Sequence, residues 1–188
     1  VSSWVALSDR YGKLPFEALF ESAIHYAKNG FLVGPKSAFY WQLLESHYSD
    51  YPDWIAHFGP VPKAGERFMR PDMVASLEAI RDSKGEAFYR GELASAMVDA
   101  STRAEGGLAL ADLANHTCDW VTPITQSYRD VELLEIPPNA QGLAAQIALG
   151  ILSYLPLAEL DSAALMHQQI EAMKIAVYAA SQHFADAR

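Results

Sequence analysis

Apolar residues recur at three- and four-residue spacing along most of the chain, and prolines and glycines interrupt this pattern. Such spacing predicts amphipathic helices. Proline is favoured in the first turn of a helix, and glycine or asparagine commonly follows its end. These signals predict helices over residues 2–11, 15–29, 35–48, 71–80, 91–104, 141–152 and 162–184. They also predict a short helical turn over 110–114 and a loop over 51–70 that has one helical turn at 53–57.

The pattern changes after residue 119, where apolar and polar positions alternate from Trp120 to Gln126. Residues 131–136 form a compact apolar run that Pro137-Pro138 ends. Alternation of this kind predicts β-strands, so these segments form a hairpin-like unit around a turn at 127–130. The predicted fold class is therefore mainly α with one short β hairpin-like unit.

The last helix carries the longest apolar pattern, and Asp161 or Ser162 is its expected cap. One predicted face consists of Leu165, Gln169, Met173, Ala176 and Ala180. Four further residues widen this face, and they are Met166, Ile170, Val177 and Tyr178.

Composition indicates a globular chain, since half of the 188 residues are hydrophobic. The net charge of −9 and the lack of a basic run exclude a nucleic-acid-binding surface. No apolar stretch is long enough to span a bilayer, so we expect no membrane partner. Cys118 cannot form an internal disulfide, because it is the single cysteine, and we interpret it as a half-buried structural thiol.

The first residues, Val-Ser-Ser-Trp, do not contain the basic region and apolar segment of a signal peptide. Trp4 and Leu7 already belong to a periodic pattern, so we expect further sequence upstream. The compartment is unknown from these residues, and a cytoplasmic location is favoured over a periplasmic or secreted one.

Two carboxylate–histidine pairs have the spacing of metal ligands on one helix face, Glu21 with His25 and His167 with Glu171. Neither pair has an obvious third ligand, so the sequence predicts no metal site and no cofactor. Solvated or hydrogen-bonded side chains are the expected state of both pairs.

Nucleophile signatures are equally sparse. The sequence has no Gly-x-Ser-x-Gly elbow, and Gly106-Gly107 lacks the lysine that follows in a phosphate-binding loop. An N-terminal nucleophile needs Thr, Ser or Cys at position one, and Val1 is none of these. Ser2 would qualify only after removal of Val1. The four tryptophans are expected to pack in the core, although an aromatic platform for sugars or bases is an alternative.

Seven short blocks share a resemblance, and in chain order they are Val1-Ser2-Ser3-Trp4 with Leu7 and residues 11–15; residues 23–33; residues 87–92; residues 106–108 with Asp112-Leu113; residues 120–124 with Tyr128-Arg129; residues 135–143; and His167 with residues 171–176. They resemble segments of the gamma-glutamyltransferase family, which belongs to the N-terminal nucleophile hydrolases. Each block alone is a weak signal. Seven in the same order over nearly the whole chain identify it as similar to the large subunit of that family.

The resemblance implies that residues 1–188 are a single helix-rich segment of the large subunit, incomplete at both ends, within an αββα fold. It implies an enzyme that cleaves gamma-glutamyl amides, such as glutathione, by acyl transfer to water or an amine. The family's nucleophile is a threonine that self-cleavage exposes in a Thr-Thr-His-like segment. Thr102, Thr117, Thr122 and Thr125 lack that context. No catalytic residue is therefore assigned to this chain, its substrate-binding residues are unknown, and its expected partners are the small subunit and a small amide.

The sequence also departs from the family. Residues 139–141, Asn-Ala-Gln, replace a Ser-rich form, and Leu143 replaces a second glycine after Gly142. Ala179 and Ala180 replace an Asp-Arg pair. These departures leave the acyl group open.

Two other function classes remain open at this point. One is a helical binding or scaffold domain without chemistry. The other is a metal-dependent hydrolase that uses His167 and Glu171.

Overall fold

A computed structural model describes residues 1–185. Backbone contacts divide the chain into two compact units, the first from Val1 to Cys118 and the second from Asp119 onward. That residues 1–188 form one segment of a larger subunit stays a prediction.

Unit 1 is helical with one very short strand pair. Its helices are α1 (Ser2–Tyr11), α2 (Glu21–Asn29), α3 (Pro35–Tyr48), α4 (Pro52–Phe58), α5 (Asp72–Asp82), α6 (Glu86–Arg90), α7 (Glu92–Arg103) and α8 (Leu110–Ala114). A 3₁₀ helix, Phe16–Phe20, precedes α2. The helices lie close to the predicted ranges, except that two helices, α6 and α7, follow residue 85 where one was predicted, and α4 extends the predicted turn.

The strand pair of unit 1 was not predicted from the sequence. β1 (Phe31–Leu32) pairs antiparallel with β2 (Arg67–Phe68), so that Phe31 faces Phe68. The prediction of a loop over residues 51–70 is therefore wrong at its end. Two-residue strands contain too little alternation to be recognised, and only the tertiary contact reveals them.

The core of unit 1 forms where the 3₁₀ helix meets α5. Phe16, Phe20 and Ile80 are buried there, and Phe16 and Phe20 pack edge to face with ring centroids 5.0 Å apart. Six half-buried residues surround them, namely Val1, Val5, Ile24, Leu77, Phe88 and Leu93. The core thus joins α1, α2, α5, α6 and α7.

Unit 2 consists of a hairpin, two α-helices and a 3₁₀ helix (Leu157–Glu159) between those helices. β3 (Ile124–Tyr128) pairs antiparallel with β4 (Val131–Glu135), and α9 (Gly142–Ser153) and α10 (Ser162–His183) follow. Residues 120–123, which were predicted as strand, are not part of β3. The predicted cap is confirmed, because the Asp161 carboxylate accepts a hydrogen bond from the backbone N–H of Ala164 at 2.8 Å.

Helices α9 and α10 pack against each other through small and branched residues. Leu152, Leu157 and Ala172 form the buried cluster, and Ala176 of α10 is completely buried. Alanine at these positions lets the two helix backbones approach closely. No helix among residues 1–185 is both long and apolar enough to cross a membrane.

Candidate functional site

The side of α10 that faces away from the buried alanines carries a row of large apolar side chains. Met166, Ile170, Met173, Val177 and Tyr178 are all exposed, to between 43% and 69%. Their spacing places them on one helix surface, which we call the outer face of α10. The sequence assigned Met173 and Ala176 to one face, whereas the structure exposes Met173 and buries Ala176.

Part of the outer face forms a shallow groove of about 530 Å³ between Ile170, Met173, Val177 and Tyr178. Contiguous exposed apolar surface of this kind marks contact with another polypeptide more often than it marks free solvent-facing surface. Lys174 at the edge of the groove is paired with Glu171 at 2.7 Å. The outer face is therefore the strongest candidate for an interaction surface in unit 2.

A buried glutamine fastens the hairpin to α9. The Gln146 side chain is 3% exposed, and its Nε2 donates to the carbonyl oxygens of Ile124 (2.8 Å) and Leu133 (2.9 Å). One acceptor lies on each strand. Gly142 and Gly150 stand four residues before and after Gln146, and the Glu135 side chain packs against Gly142. The side of α9 that carries Gly142, Gln146 and Gly150 therefore packs against the hairpin.

Unit 1 contains a polar cluster that the sequence analysis did not identify. The Tyr89 hydroxyl accepts a hydrogen bond from the Ser2 backbone N–H at 2.9 Å and donates one to Ser2 Oγ at 3.2 Å. His116 Nε2 lies 3.2 Å from the same Oγ, and its ring stacks on Tyr89 at 5.2 Å. The residues are separated by 87 and 114 positions, so no local spacing could reveal the cluster.

This cluster fits a structural tie better than a nucleophilic centre. The Tyr89 hydroxyl is hydrogen-bonded to both the hydroxyl oxygen and the backbone N–H of Ser2. In an N-terminal nucleophile these two atoms would be the attacking oxygen and the amine that acts as its base. Arg90 donates a further hydrogen bond to the Ala114 carbonyl oxygen at 2.7 Å. Together these contacts fasten α1 and the end of α8 to α6.

The two candidate metal pairs belong to different units, Glu21 and His25 to unit 1 and His167 and Glu171 to unit 2. His25 Nδ1 lies 3.2 Å from the Asn29 amide, and the pKa of Glu171 is lowered because its carboxylate accepts a hydrogen bond from Lys174. Across residues 1–185, no three His, Cys, Asp or Glu side chains are grouped as metal ligands. The structure therefore offers nothing that favours the metal-dependent alternative built on His167 and Glu171.

The four threonines belong to different units, Thr102 and Thr117 to unit 1 and Thr122 and Thr125 to unit 2. Thr102 lies in α7 and donates its hydroxyl hydrogen to the Val98 carbonyl oxygen at 2.9 Å. Thr117 and Thr122 lie in the irregular segment before β3, and Thr125 lies in β3. Cys118 is half-buried, as expected.

The four tryptophans divide into two groups. Trp41 and Trp54 belong to an aromatic cluster, in which Trp41 packs on Phe68 at 4.7 Å and Trp54 stacks on Tyr48 at 6.0 Å. Trp4 and Trp120 are each 54% exposed, so they do not fit the expected packing in the core.

The sequence model of the gamma-glutamyltranspeptidase family matches residues 1–188. The chain belongs to this family. The predicted resemblance is thereby confirmed over the whole chain, and the relatives of this gamma-glutamyltranspeptidase-family chain are enzymes.

The curated proteins that are similar to this chain are named for different substrates. The chain is 34% identical to the glutathione hydrolase proenzyme of Pseudomonas aeruginosa over 76% of its own length and 26% of that protein. It is 30% identical to the oxamate amidohydrolase proenzyme of Klebsiella pneumoniae over all of its own length and 37% of that protein. The chain thus spans about a quarter to just over a third of these relatives.

The fold agrees with the family assignment. The crystal structure of cephalosporin acylase from Bacillus halodurans superposes with a TM-score of 0.88 and 35% identity, over 97% of this chain and 36% of that one. The structural neighbours are N-terminal nucleophile hydrolases, so the predicted fold class of this gamma-glutamyltranspeptidase-family chain is confirmed.

Proposed function

We propose that this chain is a helical part of the large subunit of an enzyme that cleaves amides by acyl transfer, with gamma-glutamyl amides as the first candidate substrates. The observation that carries the proposal is the family match over residues 1–188. The cephalosporin acylase superposes on nearly all of this chain while the chain spans only 36% of it. The reacting groups are accordingly assigned to polypeptide beyond these residues.

The proposed chemistry is that of a threonine nucleophile that lies outside residues 1–188. Its hydroxyl oxygen attacks the amide carbonyl carbon, its proton passes to the threonine's own amine, and hydrogen-bond donors stabilise the resulting oxyanion. The amine then leaves with a proton, and water or a second amine releases the acyl group. Residues 1–188 contribute by holding the elements that carry those groups.

We assign the small subunit of the same precursor to the outer face of α10. Burial of a Met, Ile or Val side chain stabilises an assembly by about 1.5–3 kcal/mol. Covering the five large apolar side chains of the outer face with another polypeptide would therefore stabilise the assembled enzyme. The names of the relatives from Pseudomonas aeruginosa and Klebsiella pneumoniae include the word proenzyme, which supports a processed precursor.

The test uses the full-length gene product. Its intact mass after purification should resolve two polypeptides, and the preparation should hydrolyse a gamma-glutamyl 4-nitroanilide. Replacing the threonine that begins the smaller polypeptide with alanine should abolish both processing and turnover. Oxamate and a cephalosporin amide, assayed in parallel, identify the acyl group.

A single unprocessed polypeptide without amidase activity would instead support a non-catalytic binding or scaffold domain. Turnover by purified residues 1–188 alone would also contradict the proposal, because it would place the nucleophile within this chain.

A further inference from the structure

Unit 2 contains a second recess that the proposed docking surface does not explain. A cleft of about 320 Å³ lies between residues 139–144 and the last turns of α10. This volume is at the lower end of the roughly 300–1,000 Å³ that ligand sites occupy. It includes the Asn-Ala-Gln segment that sets this sequence apart from its family.

The polar groups of the cleft are neutral. The carboxamides of Asn139 and Gln141 line it together with the Ser181 hydroxyl, and none of its described lining residues is charged. Asn139 and Gln141 are both exposed, so their carboxamides are open to solvent at the mouth of the cleft. The Ser181 hydroxyl donates to the Tyr178 carbonyl oxygen at 2.7 Å and accepts from the Gln182 amide at 3.4 Å, so its oxygen keeps one lone pair for a further donor.

The remaining walls are apolar. Ala144, Val177, Ala180 and Phe184 line the rest of the cleft. Such walls suit a short aliphatic chain, since removing its surface from water is favourable. Among the described residues that line the cleft, no cation would offset the desolvation of an anionic ligand.

A carboxamide presents both an N–H donor and a carbonyl acceptor, and another amide is its complement. We infer that this cleft binds a small uncharged amide whose head is hydrogen-bonded to Asn139 and Gln141 and whose aliphatic part lies against Val177 and Phe184. The inference rests on the proposed function in one respect, because the ligand belongs to the amide class on which such an enzyme acts.

Val177 belongs both to the cleft and to the outer face of α10, so the cleft lies at the edge of the surface assigned to the small subunit. The experiment therefore uses the full-length protein. Three probes of nearly equal shape are titrated by ligand-observed NMR: butyramide, 2-pentanone without the N–H donors, and the anion butyrate. Butyramide should bind, and at least tenfold more tightly than the other two.

Two shape-preserving variants test the assigned contacts. Asn139→Leu and Gln141→Met should each weaken butyramide binding by about three- to tenfold, the usual range for a lost hydrogen bond. Gln169→Met is the matched control, because Gln169 is an exposed amide of α10 outside the cleft, and it should leave binding unchanged. Melting temperatures of all variants establish that each is folded.

Absence of butyramide binding, equal binding of 2-pentanone, tighter binding of butyrate, or unchanged affinity in both cleft variants would overturn the inference. Activity on gamma-glutamyl anilide separates the two proposals. Turnover without butyramide binding removes only the cleft assignment, whereas binding without turnover or processing removes only the proposed enzymatic function.

Discussion

Gln146 and Leu133 are joined by a 2.9 Å hydrogen bond from the buried side-chain amide to a strand carbonyl, 13 residues apart. The same amide nitrogen also donates a hydrogen bond to the carbonyl oxygen of Ile124 on the neighbouring strand. One side chain therefore satisfies two backbone acceptors and holds both strands of the hairpin on α9.

Replacing Gln146 with leucine removes both hydrogen bonds and deprives the Ile124 and Leu133 carbonyl oxygens of this donor. An unsatisfied buried polar group costs about 1–3 kcal/mol, so we expect a loss of about 2–5 kcal/mol in the free energy of unfolding. Urea denaturation of the full-length protein measures this loss in the free energy of unfolding. Gln169→Leu is the control and should change stability by less than about 0.5 kcal/mol, since that side chain is exposed. Similar values for the two variants would contradict the assigned role of Gln146.

Gly30 has a φ of 76°, and a Cβ at this position would lie 2.6 Å from the Phe68 carbonyl oxygen in the β1–β2 region. Gly30→Ala should therefore lower the free energy of unfolding by about 2–4 kcal/mol, from the left-handed backbone and the steric contact together. Gly107→Ala is the matched control, because no atom lies within 4 Å of its added Cβ. Thermal unfolding should separate the two variants, and equal melting temperatures would refute the steric argument.

Asp72 accepts three hydrogen bonds from Arg70, two from Nε and one from Nη2, and the Arg70 guanidinium lies 5.0 Å from the centre of the Phe58 ring. The hydrogen bonds from Arg70 lower the pKa of Asp72 below its ordinary value of 3.8. A carboxylate with a lowered folded-state pKa contributes stability above its unfolded pKa, and this stability is lost as the pH falls through the folded pKa.

Arg70→Gln should raise the pKa of Asp72 towards 3.8, as measured by NMR titration of the carboxyl carbon. The stability difference between wild type and variant should shrink as the pH falls below about 4. Asp72 is about half exposed, so the effect should be small. An unchanged titration midpoint would show that the ion pair does not persist in solution.

Ile170 lies near the centre of the outer face of α10. If the small subunit covers this face, Ile170→Lys places an unpaired ammonium in an apolar contact and should lower the melting temperature of the full-length enzyme by about 5 °C or more. Gln182→Lys adds the same charge at an exposed position near the end of α10 that does not line the groove, and it should have little effect. Equal melting temperatures of the two variants would indicate that the outer face is not covered.

Most helices could be predicted from the chain because their causes are local. Proline at Pro35, Asp161 at the cap of α10 and the left-handed Gly30 each act within a few residues of the helix end that they define. The hairpin was predicted for the same reason, although its first strand begins at Ile124 and not at Trp120. The ordered blocks of short motifs also identified the family.

The candidate sites could not be predicted in the same way, because they depend on pairs of residues that are distant in sequence. Ser2 meets His116 and Gln146 meets Ile124 only after the helices pack, and only then do Asn139 and Val177 line one cleft. Periodicity did indicate that α10 is apolar on a wide surface. It could not show that Ala176 points inward and Met173 outward, since both positions fit the same pattern.

The sequence by itself determined the helix-rich class, the hairpin and the family, because propensity, capping and motif order are properties of neighbouring residues. Tertiary structure alone decided which face of α10 is buried, where the neutral cleft lies and what the Gln146 amide contacts. Those outcomes depend on close packing between elements, in which small residues such as Ala172 and Ala176 allow contact and large ones are left at the surface.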